Sequence, residues 1–306
     1  MENIVVVGSL NMDLVVRVTH MPDAGETIFG HDFIEAPGGK GANQAVAAAR
    51  LGGRVTMIGR VGTDPYGIAL LDNIRKEGID TSYIQIDKEV CTGVALITVD
   101  SIGQNSIVVV SSANMRLLPD EMENALERIE EMSILLLQLE SPLECVLRAA
   151  RIAKNRGATV ILNPSPVGRL PKEIFQLVDV LVPNEIEASK LTNLPVGSLD
   201  EAEAAAFHLL ELGVESVIVT LARQGVLVVR KGLTKHLRGY PVTVMDTTAA
   251  GDAFTGGLAA GLSEGLTMID AARLGNAAAA IAVTRMGAQP SLPHRLEVNN
   301  FLGIKE

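Results

Sequence analysis

The chain has 306 residues, 47% hydrophobic and 20% charged, an ordinary balance for a soluble globule and enough for one large α/β domain or two modest ones. Its net charge of −10, with no long basic block, argues against nucleic acid and anionic membrane as partners, since both select a clustered positive face. Cys91 and Cys145 form no zinc or redox spacing, which points to a reducing, cytoplasmic setting, and the apolar runs 134–139 and 277–283 are too short to cross a bilayer.

In chain order, residues 4–7 read as a strand; the acidic start Met1-Glu2-Asn3 and the brevity of this run do not fit a signal peptide. Residues 14–36 give a broken strand pattern around Pro22, Gly25 and Gly30. A helix at 42–51, a strand at 54–58 and a helix at 65–77 follow, then two strands within 92–110 around a turn at 100–103. Beyond them come helix 119–132, strand 134–139, helix 142–155, strands 159–162 and 180–182, helices 185–192 and 200–212, strands 216–220 and 226–230, and helices 252–264 and 268–284. Several strands are apolar throughout, as befits burial on both faces. The alternation predicts a three-layer α/β/α fold on a central, mostly parallel sheet. Segments 14–36 and 92–110 lack a crossover helix and are expected to pair as a small β lid, with 1–13, 37–91 and 111–306 forming the α/β domain. Two ordinary surface hairpins would fit the same residues.

Six motifs fall at strand ends or loops. In VMDTTAAGDAFTGGLAAGL (244–262), the small residues Ala249, Ala250 and Gly251 precede a helix, where amides without intrahelical partners and the helix dipole suit phosphate oxygens. Asp252 stands beside that cradle as a candidate general base, although an acid at a helix start is also plain dipole compensation. PGGKGANQAVAAARLG (37–52) offers Gly38, Gly39 and Gly41 for close backbone approach, and Asn43 carries a donor and an acceptor for sugar hydroxyls. It lacks Walker A spacing. GSLNMDL (8–14) places Asn11 and Asp13 at a strand end; Asp13 suits vicinal hydroxyls, and Asx-turn chemistry fits equally well. PNEIEA (183–188) puts Asn184 and Glu187 on one helix face, suited to Mg²⁺ through water or to simple capping. TLARQGV (220–226) gives a hydroxyl and a bare backbone, and TRMGAQPSLP (284–293) reads only as a loop.

In their order these motifs, with QLE (138–140) and NPSP (163–166), resemble the ribokinase-like carbohydrate kinase family from residue 4 to about residue 302. The resemblance implies ATP-dependent transfer of the γ-phosphoryl group to a sugar's 5-hydroxyl, with ribose the expected sugar. Deoxyribose, a nucleoside or a fructose-type hexose is the alternative, and a non-catalytic sugar or nucleotide sensor a more distant one. By motif position, Asn11, Asp13, Gly38, Gly39, Lys40, Asn43 and Glu140 match sugar positions, Asp252 the base, and Ala249, Ala250 and Gly251 the anion hole. Asn184, Thr220, Ala222, Gly225, Gly251 and Asn276 match nucleotide positions, and Glu187 matches a Mg²⁺ position acting through water. Asp246, Thr248, Ala282, Arg285, Gly287 and Ser291 match a K⁺ site whose ligands are largely backbone carbonyls. A homodimer through the lid is expected, since its exposed strands need cover. The chain departs from the family at Ala222, where Gly is common, at Ser111-Ser112-Ala113-Asn114 in place of Gly-Ala-Asn, and at Ser165 in place of Ala.

Overall fold

The computed structural model describes residues 3–304. Met1 and Glu2, part of the N-terminal reading above, lie outside them, as do Lys305 and Glu306. Strand β1 (Asn3–Val7) passes through residues 8–10 into β2 (Asn11–Arg17), and β3 (Asp32–Gly38) runs back along it before helix α1 (Lys40–Arg50). Strand β4 (Arg54–Gly62), helix α2 (Pro65–Lys76) and strand β5 (Asp80–Asp87) lead to the hairpin of β6 (Gly93–Val99) and β7 (Asn105–Val110). Then come α3 (Pro119–Arg128), β8 (Ile134–Leu137), α4 (Leu143–Asn155), β9 (Thr159–Leu162) and the short α5 (Ile174–Leu177). β10 (Val180–Leu181), α6 (Glu185–Thr192), α7 (Leu199–Glu211) and β11 (Ser216–Thr220) precede a second hairpin, β12 (Gly225–Arg230) and β13 (Leu233–Arg238). Helices α8 (Ala250–Ser263), α9 (Met268–Ala282) and α10 (Arg295–Leu302) close the chain.

The large sheet has nine strands in the order β13-β12-β11-β10-β9-β8-β1-β4-β5, parallel from β11 through β5, with β12 and β13 added antiparallel at one edge. Alternation along each central strand assigns side chains to opposite faces. Ile4, Val6, Ile134, Leu136 and Ile161 join one core with α1, α2 and α8, while Val5, Val7, Leu135, Leu137, Val160 and Leu162 join the other with α3, α4 and α7. Three layers result, and the carboxyl ends of the parallel strands share one rim, where α/β folds hold their ligands.

The four-stranded second sheet, β3-β2-β6-β7, stands apart from the first. Its strands come from both segments without a crossover helix, and Asn11 pairs with Gly38 on one side and Gly93 on the other. Asp64 ties its entry to the main body. One carboxylate oxygen caps α2 at Tyr66 N (3.0 Å) and Gly67 N (3.2 Å), and the other accepts from Thr92 N (2.6 Å) and Oγ1 (2.9 Å) just before β6.

Some predicted bounds shift for identifiable reasons. The helix read as 119–132 stops at Arg128, because Ile129 turns into the core at ψ 106° and the Arg156 guanidinium closes the end on the Leu126 (2.7 Å) and Glu130 (2.8 Å) carbonyls. The strand read as 134–139 ends at Leu137, freeing Gln138 and Glu140 for the rim. Helix α8 starts at Ala250, two residues before its predicted start at Asp252, and α1 at Lys40 instead of residue 42. Strands β5 and β13 and helices α5 and α10 were not anticipated.

Candidate active site

The rim is built where β2, α1, the loop after β8, α6 and α8 converge. At the sugar-matched end, Gly39 adopts φ 89°, and a Cβ there would lie 2.7 Å from Asn11 N. Gly38 is equally constrained, because its Cβ would stand 2.3 Å from Asp13 Oδ2. These glycines let β2 and the start of α1 share the space that Asp13 occupies. Glu140 Oε2 accepts from Ser9 Oγ (2.6 Å) and Lys40 N (3.2 Å), and its Oε1 lies 4.0 Å from Lys40 Nζ. Asn114 holds Asn11: its Nδ2 donates to Asn11 Oδ1 (2.7 Å) and Leu10 O (3.0 Å), and its Oδ1 accepts from Leu10 N (2.9 Å). The Asn11 amide NH₂ is thereby the group left to donate.

Helices α1 and α8 approach closely because Gly256 faces Ala47 and Gln44; a Cβ at Gly256 would meet Gln44 O at 2.7 Å. That approach brings two amide side chains onto the buried Asp252: Asn43 Nδ2 donates to Oδ2 (2.9 Å) and Gln44 Nε2 to Oδ1 (3.0 Å). The small residues of this stretch thus serve helix packing as well as the rim. The Asn43 Oδ1 is buried without a protein partner among the described residues, an acceptor open to a hydroxyl donor.

The charges are strongly coupled. Burial, reinforced by Glu140 and Asp252, pushes the Asp13 carboxyl up to about 7. Burial also raises Asp252, against the pull of Lys40, Asn43 and Gln44. Burial draws the Lys40 ammonium down, but Asp252, Glu140, Glu187 and Asp13 carry it above the ordinary lysine value.

Two cavities meet at the start of α8. One, of about 270 Å³, is lined by Thr220, Ala222, Gly225 and Asn276, with an apolar wall of Val242, Val244, Ala279, Ala280 and Val283 beside Tyr240. The other, of about 180 Å³, is lined by Lys40, Asn163, Glu187, Ala249 and Asp252. Asn184, Thr220, Thr247, Ala250 and Gly251 line both. Ala249 reaches this turn at φ 58°, and the first intrahelical bond is Ala253 N to Ala249 O at 2.8 Å, so the amides before Ala253 precede the helical ladder. An anion at the junction meets N–H donors and the positive end of α8.

Asn184 and Glu187 form a reciprocal cap, Asn184 Oδ1 accepting from Glu187 N (2.8 Å) and Glu187 Oε2 from Asn184 N (2.9 Å). Glu187 is nevertheless buried against the second cavity, and burial raises its pKa. A buried carboxylate lining the polar cavity beside that junction fits a hydrated divalent ion. Of the residues matched to K⁺, Asp246, Thr248 and Gly287 come together: Asp246 Oδ1 accepts from Thr248 N (2.9 Å) and Oγ1 (2.6 Å), and Oδ2 from Gly287 N (2.8 Å). Their oxygen-rich loops, with a carboxylate held ionised by the Thr248 and Gly287 donors against burial, fit a hard monovalent cation. The side chains of Arg285 and Ser291 are engaged elsewhere, with Glu297 and the Ala288 carbonyl, and Ala282 ends α9 with its carbonyl accepting from Arg285 N (3.0 Å). Among the described residues no three His, Cys, Asp or Glu side chains cluster as a metal site.

Residues 1–295 match the pfkB family of carbohydrate kinases. The chain belongs to that family. A ribokinase of Haemophilus influenzae is 43% identical over 98% of both chains, and a deoxyribokinase of Salmonella typhi is 37% identical over 99% of this chain and all of its own. The structure of an Arabidopsis thaliana ribokinase complexed with ribose and ATP superposes with a TM-score of 0.91, at 33% identity, over 99% of each chain. The ribokinase-like fold expected of the kinase is the one observed.

Sequence reasoning passed over Ser9, Gln44, Asn114, Gln138 and Asn163 as site residues, although each lay in or next to a motif it had singled out. It also missed the aliphatic wall of the larger cavity. The alternating valines of Val242 and Val244, just before Asp246, were the available signal.

Proposed function

We propose that this kinase transfers the γ-phosphoryl group of ATP to the 5-hydroxyl of D-ribose. The observation that carries the reading is the junction itself: an apolar-walled cavity and a polar one share Ala250 and Gly251 at the start of α8, and a buried carboxylate, Asp252, lines the polar one next to them. The larger cavity takes the nucleotide, with Asn184, Thr220, Ala222, Gly225 and Asn276 around it. Asn11, Asp13, Gly38, Gly39, Lys40, Asn43 and Glu140 surround the sugar. Asp13 accepts from two hydroxyls, and the free Asn43 Oδ1 accepts from a third.

Asp252 takes the proton of the attacking 5-hydroxyl as its oxygen forms the new bond to phosphorus and the bond to the ADP oxygen breaks. The amides of Ala249, Ala250 and Gly251 stabilise charge on the transferred group, and Lys40 adds a positive charge facing Asp252 and Glu187. Placement and charge stabilisation supply most of the rate, because phosphoryl transfer needs little covalent work from the protein. Glu187 would hold Mg²⁺ through water, which when bound neutralises phosphate charge. Asp246, Thr248 and the carbonyls of the 282–291 loop would hold K⁺, which would supply positive charge beside the anion hole.

Segments 14–36 and 92–110, which supply most of the small sheet, act as a lid closing over a sugar-and-nucleotide domain formed by the rest of the chain. Strand β7 is exposed along its whole length, which supports a homodimer covering that edge. A cytoplasmic setting fits the free thiols of Cys91 and Cys145. No helix among the described residues is long and apolar enough to cross a membrane.

A coupled ADP-release assay over ribose, deoxyribose, fructose and a nucleoside, with and without K⁺, tests substrate and cation together. The reading expects ribose to give the highest kcat/KM, with K⁺ raising it; a higher value for deoxyribose would reassign the substrate. Asp252→Asn is expected to lose at least about 10³-fold in kcat; near-normal turnover would falsify the base assignment.

A further inference from the structure

We propose that Gln44 is a positioning residue for the base: a one-way chain of buried side-chain amides, anchored on a backbone carbonyl, forces its Nε2 toward Asp252 and so holds that carboxylate ready to accept a proton. The inference rests on Asp252 being the base.

The chain begins at Val182 O, which can only accept. Asn163 Nδ2 donates to it at 2.9 Å, and this fixes which way the Asn163 amide faces. Asn163 Oδ1 is then the atom presented to Gln44, whose Nε2 donates to it at 3.2 Å. The same Nε2 carries a second hydrogen, and that one reaches Asp252 Oδ1 at 3.0 Å. With both Nε2 hydrogens committed, Gln44 Oε1 must accept, and it does so from Gln138 Nε2 at 2.6 Å. Flipping Gln44 would set its oxygen against the Asp252 carboxylate and the Asn163 oxygen, losing both of the bonds that fix its direction. Gln44 and Gln138 are fully buried, so no exchange with bulk water softens that loss.

The consequence is chemical. A donor aimed at a buried carboxylate favours its ionised form, opposing the burial that raises Asp252. Asn43 supplies one such donor and Gln44 the other, one to each oxygen, which also fixes the plane of the carboxylate. The charged groups facing Asp252 are Lys40 from α1, Glu140 after β8, Asp13 from β2 and Glu187 from α6. None is changed by replacing Gln44. Neutral amides are suited to this task, because they stabilise the anion by hydrogen bonds without adding another titratable group to the site.

Gln44→Met keeps length and bulk and removes the donor. Expected at neutral pH is a fall in kcat of about 10- to 100-fold, with KM for ribose and ATP within about twofold of the parent. The acid limb of the kcat profile should move up by about one pH unit, so that the deficit narrows in alkaline buffer. Damage to packing alone would depress kcat equally at every pH or raise both KM values, and either result overturns the inference. Asn163→Leu, which removes the anchor, is the second variant and should move the same limb in the same direction by less. Thermal melts establish that each variant is folded, and if only one folds, its acid limb decides. Asp252→Asn is run in parallel. An active Asp252→Asn enzyme sinks the base reading itself. An inactive one, beside a Gln44→Met enzyme with the parental profile, sinks only the role of Gln44.

Discussion

Replacing Asp13 by Asn should stabilise the ligand-free protein while destroying its use of sugar. The carboxyl is buried, and its pKa rises from 3.8 to about 7 through burial and the neighbouring charges of Glu140 and Asp252. The folded state therefore binds the proton more tightly than the unfolded state. The sign follows: stability is full below the unfolded pKa and is lost as pH rises through the folded one. A shift of about 3 units at about 1.4 kcal/mol each puts the upper limit of that loss at roughly 4 kcal/mol. Asn at this position holds no charge to desolvate, so Asp13→Asn should exceed the parent in stability by up to that amount at pH 8 and by little at pH 4. Urea melts at the two pH values read the difference directly. The same substitution should cost about 100-fold or more in kcat/KM for ribose, because an amide cannot accept two hydroxyl protons at one edge in the manner of a carboxylate. Saturating ribose should raise the melting temperature of the parent and not of the variant. A stability difference that is the same at pH 4 and pH 8 would refute the reasoning, since it would show that the charge on Asp13 is not what the fold opposes.

Two further substitutions probe the backbone. Gly38→Ala puts a methyl 2.3 Å from Asp13 Oδ2 and must displace the carboxylate, so KM for ribose should rise more than tenfold, while KM for ATP stays within about twofold; steady-state kinetics with each substrate varied in turn read this. Ala222→Gly relieves a residue held at φ 46° beside the larger, apolar-walled cavity and should add about 1 kcal/mol, or about 2 °C in a calorimetric scan, with ribose kinetics unchanged.

What was legible in the sequence follows from how each segment is solvated. Strands β1, β8 and β9 are buried on both faces and read as continuous apolar runs. Strands β5 and β13 sit at the two edges of the large sheet, where DTSYIQID and LTKHLR present polar residues to water and no simple alternation results. Helix α10, RLEVNNFL, buries only Val298 among its own residues, so its apolar stripe was too thin to see. The departures at Ala222 and Ser112 were visible as missing glycines, and the structure gives their cost, since both stand at positive φ, 46° and 43°. At the site, residues adjacent in a motif were legible as a set. The Gln44–Gln138–Asn163 chain was not, because it joins positions 94 and 119 residues apart and uses side chains that are unremarkable one at a time.

Strand β2 gives the site a divisible inheritance. Asn11 and Asp13 lie in the small sheet, whereas Asp252, Glu187 and the amides of α8 belong to the large one. On the proposed reading the small sheet supplies part of the sugar contacts, Lys40, Asn43 and Glu140 supply the rest from the large domain, and the two bodies join at residues 8–10, at Gly39 and at Thr92. Recombination that exchanges residues 11–38 and 93–110 between relatives would alter the Asn11 and Asp13 contacts while leaving Lys40, Asn43, Glu140 and Asp252 in place. A scaffold divided in this way can vary part of its sugar recognition by changing one sheet while the residues proposed for phosphoryl transfer stay as they are.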